Sequence, residues 1–405
     1  MYSDAAPAPL IIPAPSPFTA PLAVYVHIPF CKTRCAHCAF NTYAGMASRI
    51  APYGQALLHE IRLVAGAGQH PPASTLYFGG GTPSQLPAES VQKAVQACAE
   101  SFRLDLAAEI SFEANPGDAD LAYFQALRRT GVTRLSIGMQ SAHEDELRLF
   151  SRRHTISDVH TTVALARQAG IPSISLDLIY GVPGQSMEAW QRSLTVALAL
   201  APDHLSLYCL SIEDGTPLHA QMLSGRMTAP DPDLAADMYE WASECLRGAG
   251  LLQYEISNWA APGHACQHNI HVWQNKPYLG LGAGAHGCAA GVRYENIANP
   301  DDYIARMSAQ QNALLFPLSA AAETTIALSS ADEMSDTMIL GLRLTDEGVH
   351  PAHFLARFGR ALEDVYGPAL DRLLAQELLE RAGNGAFRLT TRGRLLGNRV
   401  FAEFV

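Results

Sequence analysis

The stretch YVHIPFCKTRCAHCAF, residues 25–40, places three cysteines within eight residues, directly after an apolar run that predicts a β-strand. Eight cysteines in 405 residues are too few for a disulfide scaffold. Thiolates grouped this closely select zinc or iron–sulfur clusters. A structural zinc site normally takes four closed ligands, and the chain has no second cysteine pair. We therefore expect a metal cluster on Cys31, Cys35 and Cys38, with structural zinc as the alternative.

Apolar and β-branched runs alternate with longer helical patterns after this stretch. The predicted strands cover residues 22–28, 74–78, 109–114, 134–140, 174–180 and 204–210, and the predicted helices cover about 50–66, 88–100, 118–130, 157–169 and 186–200. Such alternation gives parallel βαβ units. Polar residues stand at or near successive strand ends, namely Glu113, Gln140, Asp177 and Ser211. Because a barrel collects its strand ends into one mouth, we predict an α/β fold with a partial (β/α)6 TIM-like barrel rather than an open doubly wound sheet.

The pattern changes from about residue 320. Helical segments are followed by a Gly-Asn-Gly hairpin signal at residues 383–385 and a final helix, which together predict a small α+β, winged-helix-like domain. The predicted organisation is a disordered Pro- and Ala-rich tail over 1–21, a barrel over 22–315 with an accessory segment over about 250–315, and a C-terminal domain over 320–405. That last domain carries 9 Arg against 12 Asp and Glu, so we do not expect it to bind DNA.

The composition is that of a globular chain, with 48% hydrophobic and 17% charged residues. Its 28 Lys and Arg against 39 Asp and Glu give a net charge of −11, which argues against sequence-independent binding to nucleic acid. No apolar run approaches the roughly 18–20 residues of a membrane span. The N-terminus lacks the basic start of a secretion signal. We expect a cytoplasmic protein that does not span a membrane.

The CX3CX2C spacing of residues 31–38 is the signature of the radical S-adenosylmethionine (SAM) superfamily. More narrowly, YVHIPFC resembles the family of oxygen-independent coproporphyrinogen III oxidase and its heme-chaperone branch, and the resemblance extends from Tyr25 to a C-terminal domain of that family's type. It implies that Cys31, Cys35 and Cys38 ligate three irons of a 4Fe-4S cluster. The fourth iron would take the amino and carboxylate groups of SAM.

The resemblance also implies a set of SAM contacts. On the residues alone, glycine lets a backbone approach a ligand closely, a carboxylate accepts from ribose hydroxyls, and arginine pairs with a carboxylate. The glycine-rich turn at 79–84 lacks the lysine of a phosphate loop, and in the family it meets the methionine part of SAM. The segment 279–286 resembles the one that lines the adenine side. The residues assigned to SAM are Tyr25, Gly79, Gly80, Gly81, Thr82, Glu113, Gln140, Arg152, Asp177 and Ser211.

Residues 264–273, HACQHNIHVW, form the second informative stretch. By themselves they are compatible with a zinc site or with ordinary surface histidines. They resemble the HNxxYW motif of the heme-chaperone branch, with Val272 in place of Tyr. Imidazole is a common heme ligand, and only His268 among the three histidines here matches the motif. We therefore predict His268 as the heme-binding residue.

Phe40 separates the two functions that the resemblance implies. The oxidase branch has the pattern CX3CX2CXC, and Phe40 stands where its extra cysteine would be. The first hypothesis is accordingly a heme chaperone that holds a 4Fe-4S cluster, SAM and heme and delivers heme to respiratory heme proteins, some of them membrane-associated. The alternative is an enzyme, the radical SAM oxidative decarboxylase of coproporphyrinogen III. No residue is assigned as catalytic.

Overall fold

The structure is a computed structural model that describes residues 20–312 and 314–405. The predicted disordered tail, residues 1–21, lies outside the described residues except for its last two. In chain order the strands are β1 (Leu22–Ile28), β2 (Phe30–Cys31), β3 (Tyr43–Ala44), β4 (Ala73–Gly80), β5 (Leu104–Ala114), β6 (Arg134–Gln140), β7 (Ser173–Tyr180), β8 (His204–Cys209), β9 (Leu252–Glu255), β10 (Asn258–Ala260), β11 (Tyr278–Leu281), β12 (His286–Ala289), β13 (Val292–Asn296), β14 (Ala322–Ala327), β15 (Leu379–Arg381) and β16 (Phe387–Leu389).

The helices follow the strands in regular alternation up to β8. In chain order they are α1 (Ile50–Ala67), α2 (Ala88–Ser101), α3 (Leu121–Arg129), α4 (Glu144–Leu149), α5 (Ile156–Gln168), α6 (Met187–Ala199), α7 (Pro217–Leu223), α8 (Pro232–Gly248), α9 (Gln267–Trp273), α10 (Pro300–Ala309), α11 (Ser330–Gly341), α12 (Pro351–Phe358), α13 (Leu362–Ala375), α14 (Thr391–Leu395) and α15 (Gly397–Phe401).

Twelve strands form one sheet in the order β14-β13-β12-β11-β1-β4-β5-β6-β7-β8-β10-β9. Its six central strands, β1 and β4 to β8, are parallel neighbours in chain order. A doubly wound sheet reverses its strand order at a switch point, and these six strands show no reversal. The predicted partial barrel is therefore confirmed.

The central strands and helices were predicted from local signals, and their positions agree closely with the structure. Two boundaries differ by three residues or more at the start of the element. Strand β5 begins at Leu104, five residues before the predicted start at 109. Helix α3 begins after Asp120, later than the predicted 118, because the Asp120 carboxylate accepts from the Tyr123 backbone N–H at 2.8 Å and caps the first turn.

The chain after β8 extends both edges of the central sheet. Strand β10 adds antiparallel to β8, and β9 adds antiparallel to β10. At the other edge, β11 adds parallel to β1 and leads into antiparallel β12 to β14. The sequence did not predict these strands. Gly280 allows the close pairing, since a Cβ there would lie 2.0 Å from the His286 carbonyl oxygen.

A buried glutamate ties this added part to the barrel. Glu60 on α1 accepts hydrogen bonds from the Gly282 backbone N–H at 2.7 Å, Asn296 Nδ2 at 3.0 Å, the Tyr303 hydroxyl at 2.7 Å and the Ser319 hydroxyl at 2.7 Å. Burial raises the pKa of Glu60, and the four donors oppose that rise. Helix α1 and the chain from 282 to 319 are thus held together by one side chain.

The C-terminal part has its own apolar core, which includes Met338, Leu342, Phe387 and Phe404. Strands β15 and β16 pair antiparallel on either side of residues 383–385, so the predicted hairpin is confirmed. Several of its arginines are paired with nearby acids or backbone oxygens, as in Arg381 with Glu363 and Arg392 with the Gln376 carbonyl oxygen. Within residues 20–312 and 314–405, no helix is long and apolar enough to cross a membrane.

We predict that Glu60→Ala destabilises the protein by at least about 3 kcal/mol, because it leaves several buried donors without an acceptor. The measurement is the free energy of unfolding from urea titration. Glu89→Ala is the control, since Glu89 is largely exposed and pairs only with Lys93 in the next helical turn. Equal stability of the two variants would contradict this role of Glu60.

Candidate functional site

The loop that carries Cys31, Cys35 and Cys38, which we call the cysteine loop, is held at both ends by strands. It follows β1 directly, and the short parallel pair of β2 and β3 joins Phe30 to Tyr43 and Cys31 to Ala44. All three loop cysteines are free thiols of intermediate burial. They line one cavity of about 320 Å³, which we call the cysteine cavity.

The surroundings of the thiols bear on their ionisation. Burial raises the pKa of Cys31, and Thr82 Oγ1, 3.4 Å from its sulfur, opposes that rise. Burial likewise raises the pKa of Cys38. Arg152 Nη1 donates to Cys35 Sγ at 3.5 Å. Metal ligation needs thiolates, so binding of a metal group here must displace protons.

The donor set fits an iron–sulfur cluster. The free thiols of the three loop cysteines and of Cys209 open onto a common cavity, with the Arg152 guanidinium beside Cys35. Among the residues that the structure describes, no three His, Cys, Asp or Glu side chains are grouped so that they could hold a single metal ion.

The ends of the barrel strands meet the cysteine loop in the same cavity. Besides the three cysteines, the cysteine cavity contains eight of the residues singled out from the sequence: Gly80, Gly81, Thr82, Glu113, Gln140, Arg152, Asp177 and Ser211. Tyr25, Gly79 and His268 are not in its lining. The structure therefore brings these eight residues, from six separate parts of the chain, together with the cysteine loop at the mouth of the barrel.

Glu113, at the end of β5, is held by two donors. The Tyr77 hydroxyl donates to its Oε1 at 2.8 Å, and the Gly80 backbone N–H donates to its Oε2 at 3.2 Å. The pKa of Glu113 is raised to about 7, mainly by burial. The negative charge of nearby Asp177 also raises this pKa, and the hydrogen bond from Tyr77 lowers it. The carboxyl group is thus poised to take up or release a proton near neutral pH.

Asp177, on β7, accepts from Ser136 Oγ at 3.0 and 3.1 Å through its two carboxylate oxygens. Burial raises the pKa of Asp177, while hydrogen bonds from Ser206 and Ser136 and the Arg134 charge lower it. With Glu113 it gives the mouth two acceptor groups that suit hydroxyl or amino donors on a polar ligand.

Arg152 reaches the mouth from the chain after α4. Its Nη2 donates to Asn115 Oδ1 at 2.8 Å and to the Gly138 carbonyl oxygen at 2.7 Å. A Cβ at Gly138 would lie 2.8 Å from that nitrogen, so glycine is needed for the arginine to cross the strand end. Sequence analysis missed Asn115 and Gly138, because neither carries a local motif.

The glycine-rich turn after β4 has a packing role in addition to any ligand contact. Gly80 has a φ of 118°, and a Cβ there would lie 2.7 Å from the His27 ring. A Cβ at Gly81 would lie 2.9 Å from the Phe30 carbonyl oxygen and 3.1 Å from Cys31 Sγ. The two glycines therefore let the cysteine loop lie directly against the turn.

A second cavity, of about 900 Å³, adjoins the cysteine cavity. Aromatic side chains provide much of its lining, and we call it the aromatic cavity: Tyr25, Phe40, Tyr43, Tyr77, Tyr208, Trp273 and Tyr278. The two cavities share five wall residues: Phe40, Thr42, Gly80, Glu113 and Tyr208. Ligands in the two cavities would therefore be separated by little more than this shared wall.

Tyr25 and His268 belong to the aromatic cavity. The Tyr25 hydroxyl is 3.1 Å from His27 Nδ1, and its ring lies 6.1 Å from the Tyr77 ring and 6.4 Å from the His268 ring. The rings of Tyr77 and His268 are 5.1 Å apart. Gly79 lines neither cavity, because a Cβ there would already contact the rings of Tyr25 and Tyr77 at 3.0 Å.

The three histidines of the 264–273 stretch do not lie in the same cavity. His268 lines the aromatic cavity, whereas His264 and His271 line a different cavity of about 540 Å³ at the opposite ends of the strands. His264 Nδ1 is 3.1 Å from Ser173 Oγ, and His271 Nε2 is 2.9 Å from the Pro277 carbonyl oxygen. Burial lowers the pKa of His268 to about 3, so its imidazole is neutral at physiological pH.

Comparisons with known proteins agree on which family shares this arrangement. The radical SAM superfamily model matches residues 25–197, and the HemN C-terminal domain model matches residues 328–396. The solved structure of coproporphyrinogen III oxidase (HemN) from Escherichia coli, described as a radical SAM enzyme, superimposes with a TM-score of 0.79 and 25% identity over 95% of this chain and 90% of that one.

Curated relatives are similar over almost the whole chain. Heme chaperone HemW of Bacillus subtilis (strain 168) is 36% identical over 386 residues, which cover 95% of this chain and 99% of the relative. Heme chaperone HemW of Escherichia coli (strain K12) is 33% identical over 95% of this chain and 98% of its own length. The mitochondrial radical S-adenosyl methionine domain-containing protein 1 of Mus musculus is 36% identical over 91% of this chain and 84% of its own.

We predict a pH-dependent stability that comes from Glu113 in the protein without bound groups. Its pKa rises from 4.5 to about 7 on folding, so the folded state holds more protons between these values and stability falls as pH rises through them. Glu113→Gln cannot titrate. Its free energy of unfolding relative to the parent should therefore rise by up to about 3 kcal/mol between pH 4.5 and 7.5. A difference independent of pH in urea titrations would contradict the prediction.

Proposed function

The chain belongs to the heme chaperone HemW branch of the radical SAM coproporphyrinogen III oxidase-like family, and on that premise we propose that it binds heme and delivers it to heme-requiring respiratory proteins. The observation that carries the proposal is the aromatic cavity. At about 900 Å³, with aromatic walls and the imidazoles of His27, His268 and His286 on its surface, of which that of His268 is neutral, it suits a large flat apolar ligand with a central metal.

We further propose that a 4Fe-4S cluster is held by Cys31, Cys35 and Cys38 in the cysteine cavity. The three free thiols there and Arg152 beside Cys35 support this assignment. When bound, such a cluster supplies one-electron chemistry. The residues around it bind, orient and balance charge.

SAM is proposed to bind in the same cavity. Glu113 and Asp177 offer acceptors for its amino and ribose hydroxyl groups, and Arg152 offers a cation for its carboxylate. The remaining proposed contacts at the mouth are Gly80, Gly81, Thr82, Gln140 and Ser211. Tyr25 and Gly79 are less well supported as SAM contacts, because neither lines this cavity.

His268 is proposed as the heme ligand. It lines the aromatic cavity, and the other two histidines of its stretch line a different one. Its low pKa keeps the imidazole neutral, and the neutral form is the one that ligates iron. Val272 and Trp273 line the same cavity as His268. Replacement of the motif tyrosine by Val272 therefore adds apolar surface next to the proposed ligand.

The alternative function, oxidative decarboxylation of coproporphyrinogen III, has a specific observation in its favour. The shared wall would bring a tetrapyrrole in the aromatic cavity close to SAM in the cysteine cavity. Against it stands Phe40, which takes the place of the oxidase cysteine, lines both cavities and is 71% exposed. The chaperone relatives also have higher identity, 33–36%, than the 25% of the oxidase structure. We propose the chaperone.

The proposed partners are heme-accepting respiratory proteins, some of them at the membrane, and the proposed location is the cytoplasm. Nucleic acid is not expected as a partner. The net charge is −11, and two arginines near the C-terminus, Arg381 and Arg388, pair with Glu363 and Glu380.

We predict that anaerobically reconstituted protein is brown and contains iron and sulfide. The triple substitution of Cys31, Cys35 and Cys38 by Ala should abolish both, because these three thiols are the proposed cluster ligands. Cys245→Ala is the control, since Cys245 lies on α8 away from the cavity, and it should retain full iron and sulfide content. Stoichiometric zinc without sulfide would overturn the cluster.

The function is tested by parallel anaerobic assays of heme binding and of carbon dioxide release from coproporphyrinogen III with SAM and a reductant. We predict heme binding, transfer of heme to an apoprotein and no carbon dioxide. His268→Ala should change the heme absorption spectrum and weaken binding. His264→Ala, from the same stretch but lining the other cavity, should leave both unchanged. Robust decarboxylation would restore the oxidase.

A further inference from the structure

Two paired strand residues, Thr75 and Glu109, contact the start of helix α9. Thr75 contacts the ring of His268, and Glu109 contacts the backbone of the helix. Thr75 on β4 has its Oγ1 3.0 Å from His268 Nδ1. Its partner across the strand pair is Glu109 on β5. The Glu109 carboxylate accepts from the backbone N–H groups of Gln267 at 3.0 Å and His268 at 3.2 Å. His268 is therefore fixed both in position and in ring orientation.

The contact between Thr75 and His268 is enclosed. The two residues are 2% and 5% exposed. Thr75 also lines the cavity of about 540 Å³, so its hydroxyl hydrogen can donate to water there while the oxygen accepts from Nδ1–H. The hydroxyl of Thr75 has no other hydrogen-bond partner in residues 20–312 and 314–405, and neither has His268 Nε2. The side of the ring that carries Nδ1 is thus occupied, and the other nitrogen is unpaired on a residue that lines the aromatic cavity.

A neutral imidazole has one N–H and one lone pair, and the partner of one nitrogen decides what the other can do. Histidines that bind a metal almost always donate their second N–H to an acceptor, which fixes the tautomer and raises the basicity of the ligating nitrogen. A threonine hydroxyl has lone pairs that can serve as that acceptor.

We propose that Thr75 is a positioning residue for heme: it accepts the Nδ1–H of His268 and presents Nε2 to the heme iron. This rests on the proposed function, in which His268 is the heme ligand. Thr75 does not touch the iron. It sets the direction and basicity of the imidazole, while Glu109 holds the backbone from which that imidazole projects.

Thr75→Val keeps the shape of the side chain and removes the acceptor, leaving Nδ1–H buried without a partner. Heme release from this variant should be roughly 10-fold faster or more, as for other groups that orient a metal-binding histidine. The absorption spectrum should shift towards that of His268→Ala. The iron–histidine stretching frequency of the ferrous protein, measured by resonance Raman spectroscopy, should fall because the ligand becomes less basic. Thr75→Ser should restore all three properties.

Thr162→Val is the matched control. Thr162 is equally buried, at 2% exposed, and its hydroxyl accepts from the Gly117 backbone N–H at 3.1 Å, but it lies on α5 and lines neither cavity. It tests whether loss of any buried threonine hydroxyl alters heme binding, and it should leave the spectrum unchanged. If Thr75→Val does not fold, Thr75→Ala removes the same hydroxyl without adding a methyl group.

The outcomes separate this inference from the function on which it rests. If His268→Ala alters the spectrum and Thr75→Val does not, Thr75 has no positioning role and His268 remains the ligand. If His268→Ala leaves the heme spectrum unchanged, the ligand assignment itself is wrong. If Thr75→Ser fails to restore the parent spectrum, the hydroxyl is not what positions the ring.

Discussion

Parallel strands send alternate side chains to opposite faces, and in this barrel the inner face is polar and enclosed. Along β6, Leu135 and Ile137 belong to the apolar core, whereas Arg134 and Ser136 are buried polar residues. A buried polar group is costly unless it is hydrogen-bonded. The interior therefore has to be a network, as in the bonds from Ser136 to Asp177 on the next strand. The position of every residue in the site depends on that requirement.

At the base of the barrel, the end opposite the mouth, the hydrogen-bond network includes the positively charged side chain of Arg134. Arg134 Nη2 donates to His204 Nδ1 at 3.2 Å, and His204 Nε2 lies 2.9 Å from the Tyr254 hydroxyl. Burial, with the Arg134 charge adding to it, places the pKa of His204 well below its ordinary value. The neutral ring can accept from the arginine on one side and donate to the tyrosine on the other. The same tyrosine accepts from the Cys266 backbone N–H, one residue before α9, at 3.3 Å.

At the mouth, Glu113 is one of the five residues that line both cavities, and through Tyr77 it is linked to the ring cluster that includes Tyr25 and His268. The groups that face the cysteines and the groups that face the aromatic cavity are therefore parts of one hydrogen-bonded and stacked assembly. This explains how a short stretch of β4, from Thr75 to Gly80, contributes residues to three regions: the base of the barrel, the aromatic cavity and the cysteine cavity.

The sequence by itself determined the cysteine cluster, the family, the six central strands and the residues at their ends, because each of these is a local signal. Spacing within eight residues marks a cluster, and apolar and β-branched runs that alternate with helical patterns mark strands. The tertiary structure alone decided that the mouth opens into two cavities, that His268 and not His264 or His271 faces the aromatic one, and that Tyr25 lies with it. Those facts depend on contacts between distant residues, such as Thr75 and His268, which are 193 positions apart. They also depend on short, glycine-containing strands such as β11, whose pairing is set by the neighbouring chain and not by their own composition.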